Sequence, residues 1–324
     1  MKSTAKKTVL KGRQPLASHS KATTQLVCFG EQQVLTISSQ MPYMLASVGG
    51  HKGYFMVDFG TTGSTIDPAS FPATDRPAPV TNTTNQFDGF DFFGGWGRVT
   101  LQVQDHSNIN GTVKQAGIIG TDFLALNVFT LDYKQGHIYR TTAQGRCSKE
   151  VLLAQGFRPA STEGYYSNDL SKLKAGVPNI PTVPVRAGTV SAVAQLDTGF
   201  DDSVHRHSVN INRAFFDAIQ ASGIALQQLP GPPTILGTCT GGTETVVGYR
   251  PPSGYSFAII GSDGKPVVSA DDVVFFLKDP PAAAKPCGGI GTWGIPAAQL
   301  GASFFIDANQ VIFDPFSATV WFGK

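Results

Sequence analysis

The chain has 324 residues, of which 41% are hydrophobic and only 15% charged, with a formal net charge of +2 at pH 7. That is enough apolar chain for two cores, and a balance so near neutral gives no electrostatic footprint for nucleic acid. With 36 Gly and 21 Pro, and helical periodicity confined to short pieces, the composition excludes a helical bundle and points to a β-rich, loop-rich protein; no apolar run is long enough for a membrane span.

The first 30 residues carry Lys2, Lys6, Lys7, Lys11, Arg13 and Lys21 and no acid, so the remainder is net acidic. Residues 1–25 read as a basic disordered tail or a short pro-segment. No stretch there is apolar enough for a signal-peptide core, so an export signal is not expected in this chain.

Residues 26–145 read as a first lobe. Pro42 to Val48 is a strand, Gly49-Gly50-His51-Lys52-Gly53 a turn, and Tyr54 to Val57 the returning strand, which delivers Asp58 into Phe59-Gly60-Thr61. A hairpin follows within Asn82 to Val103, then an apolar block at Ile118-Ile119-Gly120, then strands at Val128 to Tyr133 and His137 to Arg140. Residues 146–180 form the connection between lobes, with a short helix at Lys149 to Gln155.

Residues 181–324 repeat the pattern as a second lobe. Thr182 to Arg186 and Val190 to Leu196 flank a turn at Ala187-Gly188, and the second strand delivers Asp197 into Thr198-Gly199-Phe200. A helix at Asn212 to Ser222, a Gly/Pro-rich insertion within Leu229 to Pro296, the block Gln299-Leu300-Gly301 and strands at Val311 to Asp314 and Ala318 to Phe322 complete it. The inserted region reads as loops flanking a cleft.

Four cysteines divide two and two: Cys28 and Cys147 bracket the first lobe, and Cys239 and Cys287 lie in the insertion. Sequence alone allows three pairings. As disulfides they imply an exported protein, secreted or periplasmic. Asp201, Asp202, His205 and His207 read as a solvated face rather than a metal site. Gly289-Ile290-Gly291-Thr292-Trp293-Gly294 fits a dinucleotide fingerprint in spacing only, since Pro296 follows and no βαβ context surrounds it; it reads as a loop. No metal or cofactor is expected.

The duplicated ensemble, an Asp turn after an apolar strand and a later block ending in Gly, resembles the pepsin-like aspartic peptidases over roughly residues 40–324. The resemblance implies an all-β, two-lobed acid-protease fold whose lobes are closed or partly open barrel-like units with short helices, related by a pseudo-two-fold axis. Carried over by position, the catalytic pair falls on Asp58 and Asp197, with Gly60, Thr61, Thr198, Gly199 and Trp96 as support for substrate and oxyanion. It further implies a monomeric endopeptidase that cuts an extended peptide or unfolded protein in the cleft between lobes. Two adjacent carboxylates share one proton, so one acts as base and the other as acid, and neither metal nor covalent intermediate is required. Three positions and one hairpin depart from the family: Phe59 and Phe200 stand where hydroxyls are usual, Gln299 is polar in an apolar block, and the hairpin lacks Tyr. The alternative reading is a non-catalytic relative that binds a protein or ligand in the same cleft.

Overall fold

Strand alternation and glycine placement build one hairpin in each half of the chain. Met41–Val48 and His51–Val57 pair antiparallel around Gly49-Gly50, both at positive φ, 59° and 87°, which glycine adopts without strain. The turn is shorter than its sequence suggests, because His51, Lys52 and Gly53 join the returning strand. Thr182–Ala187 and Val190–Leu196 pair in the same way around Gly188.

The computed structural model describes residues 27–107, 112–167, 169–174, 177–202, 204–237, 243–280, 285 and 288–323. The basic tail at residues 1–25, Cys239 and Cys287 lie outside the described residues. Within them the chain is all-β apart from short helices, the longest being Arg213–Ala221, capped by Asn212 Oδ1 on Phe215 N at 3.0 Å. Lys149–Ala154 is the second expected helix, capped by Ser148. No helix among the described residues is long and apolar enough to cross a membrane.

Each hairpin is extended by the same series of strands. Gln115–Ile119 lies parallel to His51–Val57, and Ala297–Leu300 lies parallel to Val190–Leu196. Thr65–Ile66 and His207–Asn212 then pair antiparallel to those blocks, and Gln102–Val103 and Val273–Lys278 run parallel beside them. The repeat in sequence is therefore a repeat of strand order and direction, within an eight-stranded and a ten-stranded sheet.

A third, six-stranded sheet joins the halves. The hairpin Val128–Asp132/His137–Thr141 meets the hairpin Gln310–Asp314/Thr319–Phe322 through antiparallel pairing of their first strands, with Phe129 opposite Phe313. Glu31–Val34 and Arg158–Ser161 close the two edges. The latter strand comes from the expected connection, which is thus partly sheet rather than free linker. The insertion within residues 229–296 likewise departs from the loop reading. It contributes Thr234–Gly237, Thr243–Arg250, Phe257–Ile260 and Pro266–Ala270 before Val273–Lys278, because its Gly and Pro residues fall between short β-branched and aromatic runs.

Cys28 and Cys147 form a disulfide that closes a 119-residue segment beside the packed side chains of Phe29, Leu152 and Trp321. Closing so long a loop removes much unfolded-state freedom. The double variant Cys28→Ala/Cys147→Ala should lose about 2 to 5 kcal/mol of stability, read as a lower denaturant midpoint; an unchanged midpoint would show that the bond adds nothing.

Candidate active site

Both Asp residues leave the end of a buried strand and are fixed first by backbone. Asp58 N donates to Ile119 O at 3.0 Å and Asp197 N to Leu300 O at 3.1 Å, so each turn hangs from its neighbouring block. Three residues on, the Thr61 carbonyl accepts from Thr121 N and the Phe200 carbonyl from Ala302 N, both at 2.9 Å. Gly60 N donates to Asp58 Oδ1 at 2.7 Å and Gly199 N to Asp197 Oδ1 at 2.9 Å, which orients each carboxylate within its own turn.

The two turns then meet face to face. Asp58 and Asp197 are 7% and 8% exposed and hydrogen-bond to each other. A Cβ placed on Gly60 would lie 2.3 Å from Asp197 Cγ, and one placed on Gly199 would lie 2.7 Å from Asp58 Oδ2. Only glycine lets each backbone come so near the opposite carboxylate.

One hydroxyl ties the turns together. Thr198 Oγ1 accepts from Phe59 N at 3.0 Å and donates to Val57 O at 2.7 Å, and the residue is wholly buried. Phe59, which has no hydroxyl to reciprocate, stacks on Phe313 of the joining sheet at 3.6 Å between ring centroids and packs edge-on to Tyr165. Apolar packing thus holds this side of the turn, where Thr198 supplies the hydroxyl on the other.

Residues directly opposite on adjacent strands present their side chains to the same face, and this register makes the floors beneath the two acids unlike. Two residues before Asp58 stands Met56, paired with Ile118. The matching residue before Asp197 is Gln195, paired with Gln299, which is itself paired with Asn210. Gln299 Nε2 donates to Asp197 Oδ2, and Asn210 Nδ2 donates to Gln299 Oε1 at 2.9 Å, fixing the amide's orientation.

The electrostatics follow from those floors. Burial, and next the charge of Asp197, hold the Asp58 carboxyl well above the usual carboxylate range, against the pull of the Gly60 and Gly199 N–H groups. Burial raises Asp197 too, but its hydrogen bonds from Asp58, Gly199 and Gln299 and the charge of Lys278 draw it back. Both carboxyls are thus raised by burial, and the further donor and positive charge that oppose it act on Asp197 through Gln299 and Lys278. Tyr43, whose hydroxyl donates to Gln115 Oε1 at 3.0 Å, is pushed up to about 12 by burial and by Asp58, so it stays neutral.

Gly60, Thr198 and Gly199 are therefore brought together with the acids, whereas two other expected supports are not. The Thr61 methyl packs over Gly120, and among the described residues its hydroxyl makes no hydrogen bond to Asp58. Trp96 donates its indole N–H to Phe92 O at 3.0 Å and packs on Phe92 and Phe123, so its polar tip is spent inside its own hairpin. That hairpin, Gln86–Asp91 with Gly95–Thr100, carries Phe92 and Phe93 at its tip, both buried against Phe129. The residue that sequence reasoning missed is Gln299. Its polarity within an apolar block was the signal, and it supplies to Asp197 the donor that Phe200 cannot.

The Asp201, Asp202, His205, His207 group does not form one solvated face. His205 Nδ1 contacts Asp202 Oδ2 at 2.7 Å, whereas His207 is buried between Asp272 and Asp307. The glycine-rich segment near Trp293 is a single tight turn at Ile290–Thr292. Set against models of known protein families and against curated proteins, the chain matches none of the family models and none of the curated proteins.

Proposed function

We propose that this chain is an aspartic endopeptidase with the bilobal pepsin-like architecture, acting on an extended peptide or unfolded protein laid between its halves. The observation that carries the reading is the reciprocal approach of the two turns, each glycine against the opposite carboxylate. The repeated strand order and the single sheet joining the halves support the architecture. The Cys28–Cys147 disulfide supports an exported location.

In this reading Asp197 is the base and Asp58 the acid. Asp197 takes a proton from a water while the water oxygen attacks the peptide carbonyl carbon. The carbonyl π electrons move to oxygen, which receives the Asp58 proton, giving a neutral gem-diol. Proton transfer to the amide nitrogen and return of a hydroxyl proton to the pair then break the C–N bond, leaving an acid and an amine. No other co-reactant is needed.

The working form carries one proton, which fixes the pH dependence. Activity appears as pH rises through the ionisation of Asp197 and disappears as pH rises further and Asp58 loses its proton. Because Asp58 is held so high, activity should extend above the range of ordinary carboxylates. Digestion of a reduced, alkylated protein across pH 2–8 tests the reading; a folded sample that cuts at no pH overturns it. Gln299→Leu removes a donor to a charged group, a contact of about 1.5 to 3 kcal/mol, and so raises Asp197. The acid limb should move to higher pH while the alkaline limb stays. An unmoved acid limb would show that Gln299 does not hold the base.

One observation favours a second reading, a non-catalytic module that binds peptide in the same cleft. The hairpin tip is packed down through Phe92 and Phe93, and the Trp96 indole N–H is already bonded to Phe92 O. Tight peptide binding by a protein that cuts at no pH is the result expected of that reading.

A further inference from the structure

The hairpin that carries Asp58 is entered through a tight turn made of two ill-suited residues. Thr36–Ser38 pairs with Met41–Val48, with Ser38 opposite Met41, so Ser39 and Gln40 alone make the turn, and both stand at positive φ, 46° and 64°. Asn and Gly take that conformation readily, whereas Ser and Gln take it at a cost and keep it only where their surroundings over-determine it.

Two sets of contacts hold the turn. Ser38 is 5% exposed, and its Oγ accepts from Thr112 N at 2.9 Å and Val113 N at 3.3 Å, which fixes the hairpin to its own half. Gln40 Nε2 donates to Asp201 Oδ1 at 2.9 Å, a bond between residues 161 apart that joins the two halves. With a carboxylate as acceptor it is of the stronger, charge-assisted kind.

Both ends of that bond lead to the acids. Asp201 follows Phe200, the residue whose carbonyl accepts from Ala302 N and so anchors the Asp197 turn. Gln40 precedes Met41 and Tyr43, which pack with Met56, and a Cβ on Gly199 would lie 2.9 Å from Met56 Cε. That cluster therefore abuts the Asp197 turn from the first half. Thr198 ties the halves at the wholly buried side of the acid pair, and Gln40 with Asp201, both half-buried, ties them nearer solvent.

We propose that Gln40 is a positioning residue for the acid pair: through Asp201 it holds the Asp197 turn against the first half, so that the two carboxyls keep their shared geometry. The proposal rests on the endopeptidase reading. Tied by Thr198 alone, the turn would be free to rock about that hydroxyl; a second tie on the solvent side removes the freedom and keeps both carboxyls trained on one water. The costly backbone at Ser39 and Gln40 is retained because it presents the Gln40 amide to the other half.

Glycine adopts a φ of 64° without strain, so Gln40→Gly deletes the amide while easing the turn, which separates positioning from stability. With a peptide that wild type cuts, kcat should fall at least about tenfold with KM little changed, while the denaturant midpoint holds or rises. Gln40→Glu is the conservative variant. Its carboxyl donates to Asp201 only while protonated, and two ionised carboxylates repel, so its kcat should match wild type at the acid end of the profile and fall away from it as pH rises. Undiminished kcat in Gln40→Gly, a loss accompanied by a lowered midpoint, or a Gln40→Glu profile parallel to wild type overturns the proposal and leaves the endopeptidase reading intact. If wild type cuts no peptide at any pH, that reading falls, and the tie is judged by amide hydrogen exchange across residues 198–202 of the folded protein. Exchange there at least about tenfold faster in Gln40→Gly sustains it, and equal exchange overturns it.

Discussion

Asp58→Asn and Asp197→Asn should each reduce peptide cleavage at least about 10³-fold, the scale of a lost general acid or base, while leaving the protein folded and more stable at neutral pH. The two effects have one cause. Both carboxyls sit above their ordinary values in the folded protein, chiefly through burial. A carboxyl raised in this way stabilises the fold most at low pH, and that advantage is lost as pH rises from the unfolded-state value through the folded one. Asn has nothing to ionise, so either variant removes the penalty at neutral pH. Measuring kcat/KM and the denaturant midpoint together separates loss of chemistry from loss of fold. Undiminished cleavage in either variant would remove that residue from the chemistry; lost cleavage with a lowered midpoint would show that the acids hold the structure together instead.

What the sequence made legible here was local. The Asp turns, the hairpins that carry them and the capped helix from Arg213 follow from glycine placement, alternation and capping, which act over a few residues, whereas the Cys28–Cys147 bridge was one of three pairings open in the sequence. Register across distant strands was not legible. Phe200 and Gln299 read separately as two departures, yet they form one compensating pair, because the parallel pairing of Gln195 with Gln299 puts an amide where a turn hydroxyl was expected. Thr61 shows the converse. Its hydroxyl looked available from its place in the turn, but packing over Gly120 chose the methyl. Trp96 is a similar case, since a neighbouring carbonyl and two aromatic rings within reach take up its indole. The inserted region was misread because Gly and Pro mark the ends of strands as readily as the body of loops.

Gly60→Ala tests the contact between the turns with a single methyl group. The added Cβ would lie 2.3 Å from Asp197 Cγ, 2.5 Å from Oδ1 and 2.7 Å from Oδ2, far inside van der Waals contact. Backbone strain does not enter, because Gly60 is not at positive φ; the whole effect is displacement of the opposite carboxylate. Asp197 cannot simply swing aside, since Gly199 N, Gln299 and Asp58 hold it from three directions. Overpacking of this kind costs about 1 to 3 kcal/mol, and a shift near 1 Å in a reacting group costs about 10²-fold in rate. Activity should therefore fall at least about 10²-fold while a cooperative unfolding transition is retained. Gly199→Ala should act in the same direction more mildly. Its Cβ would meet Asp58 Oδ2 at 2.7 Å, Asp58 Cγ at 2.8 Å and Met56 Cε at 2.9 Å, and the methionine can move. Gly294→Ala is the control, because nothing lies within 4 Å of its Cβ. Wild-type activity in Gly60→Ala would mean that the two turns do not approach in solution as closely as the shared proton requires, and the assignment of Asp58 and Asp197 as one acid–base pair would fall with it.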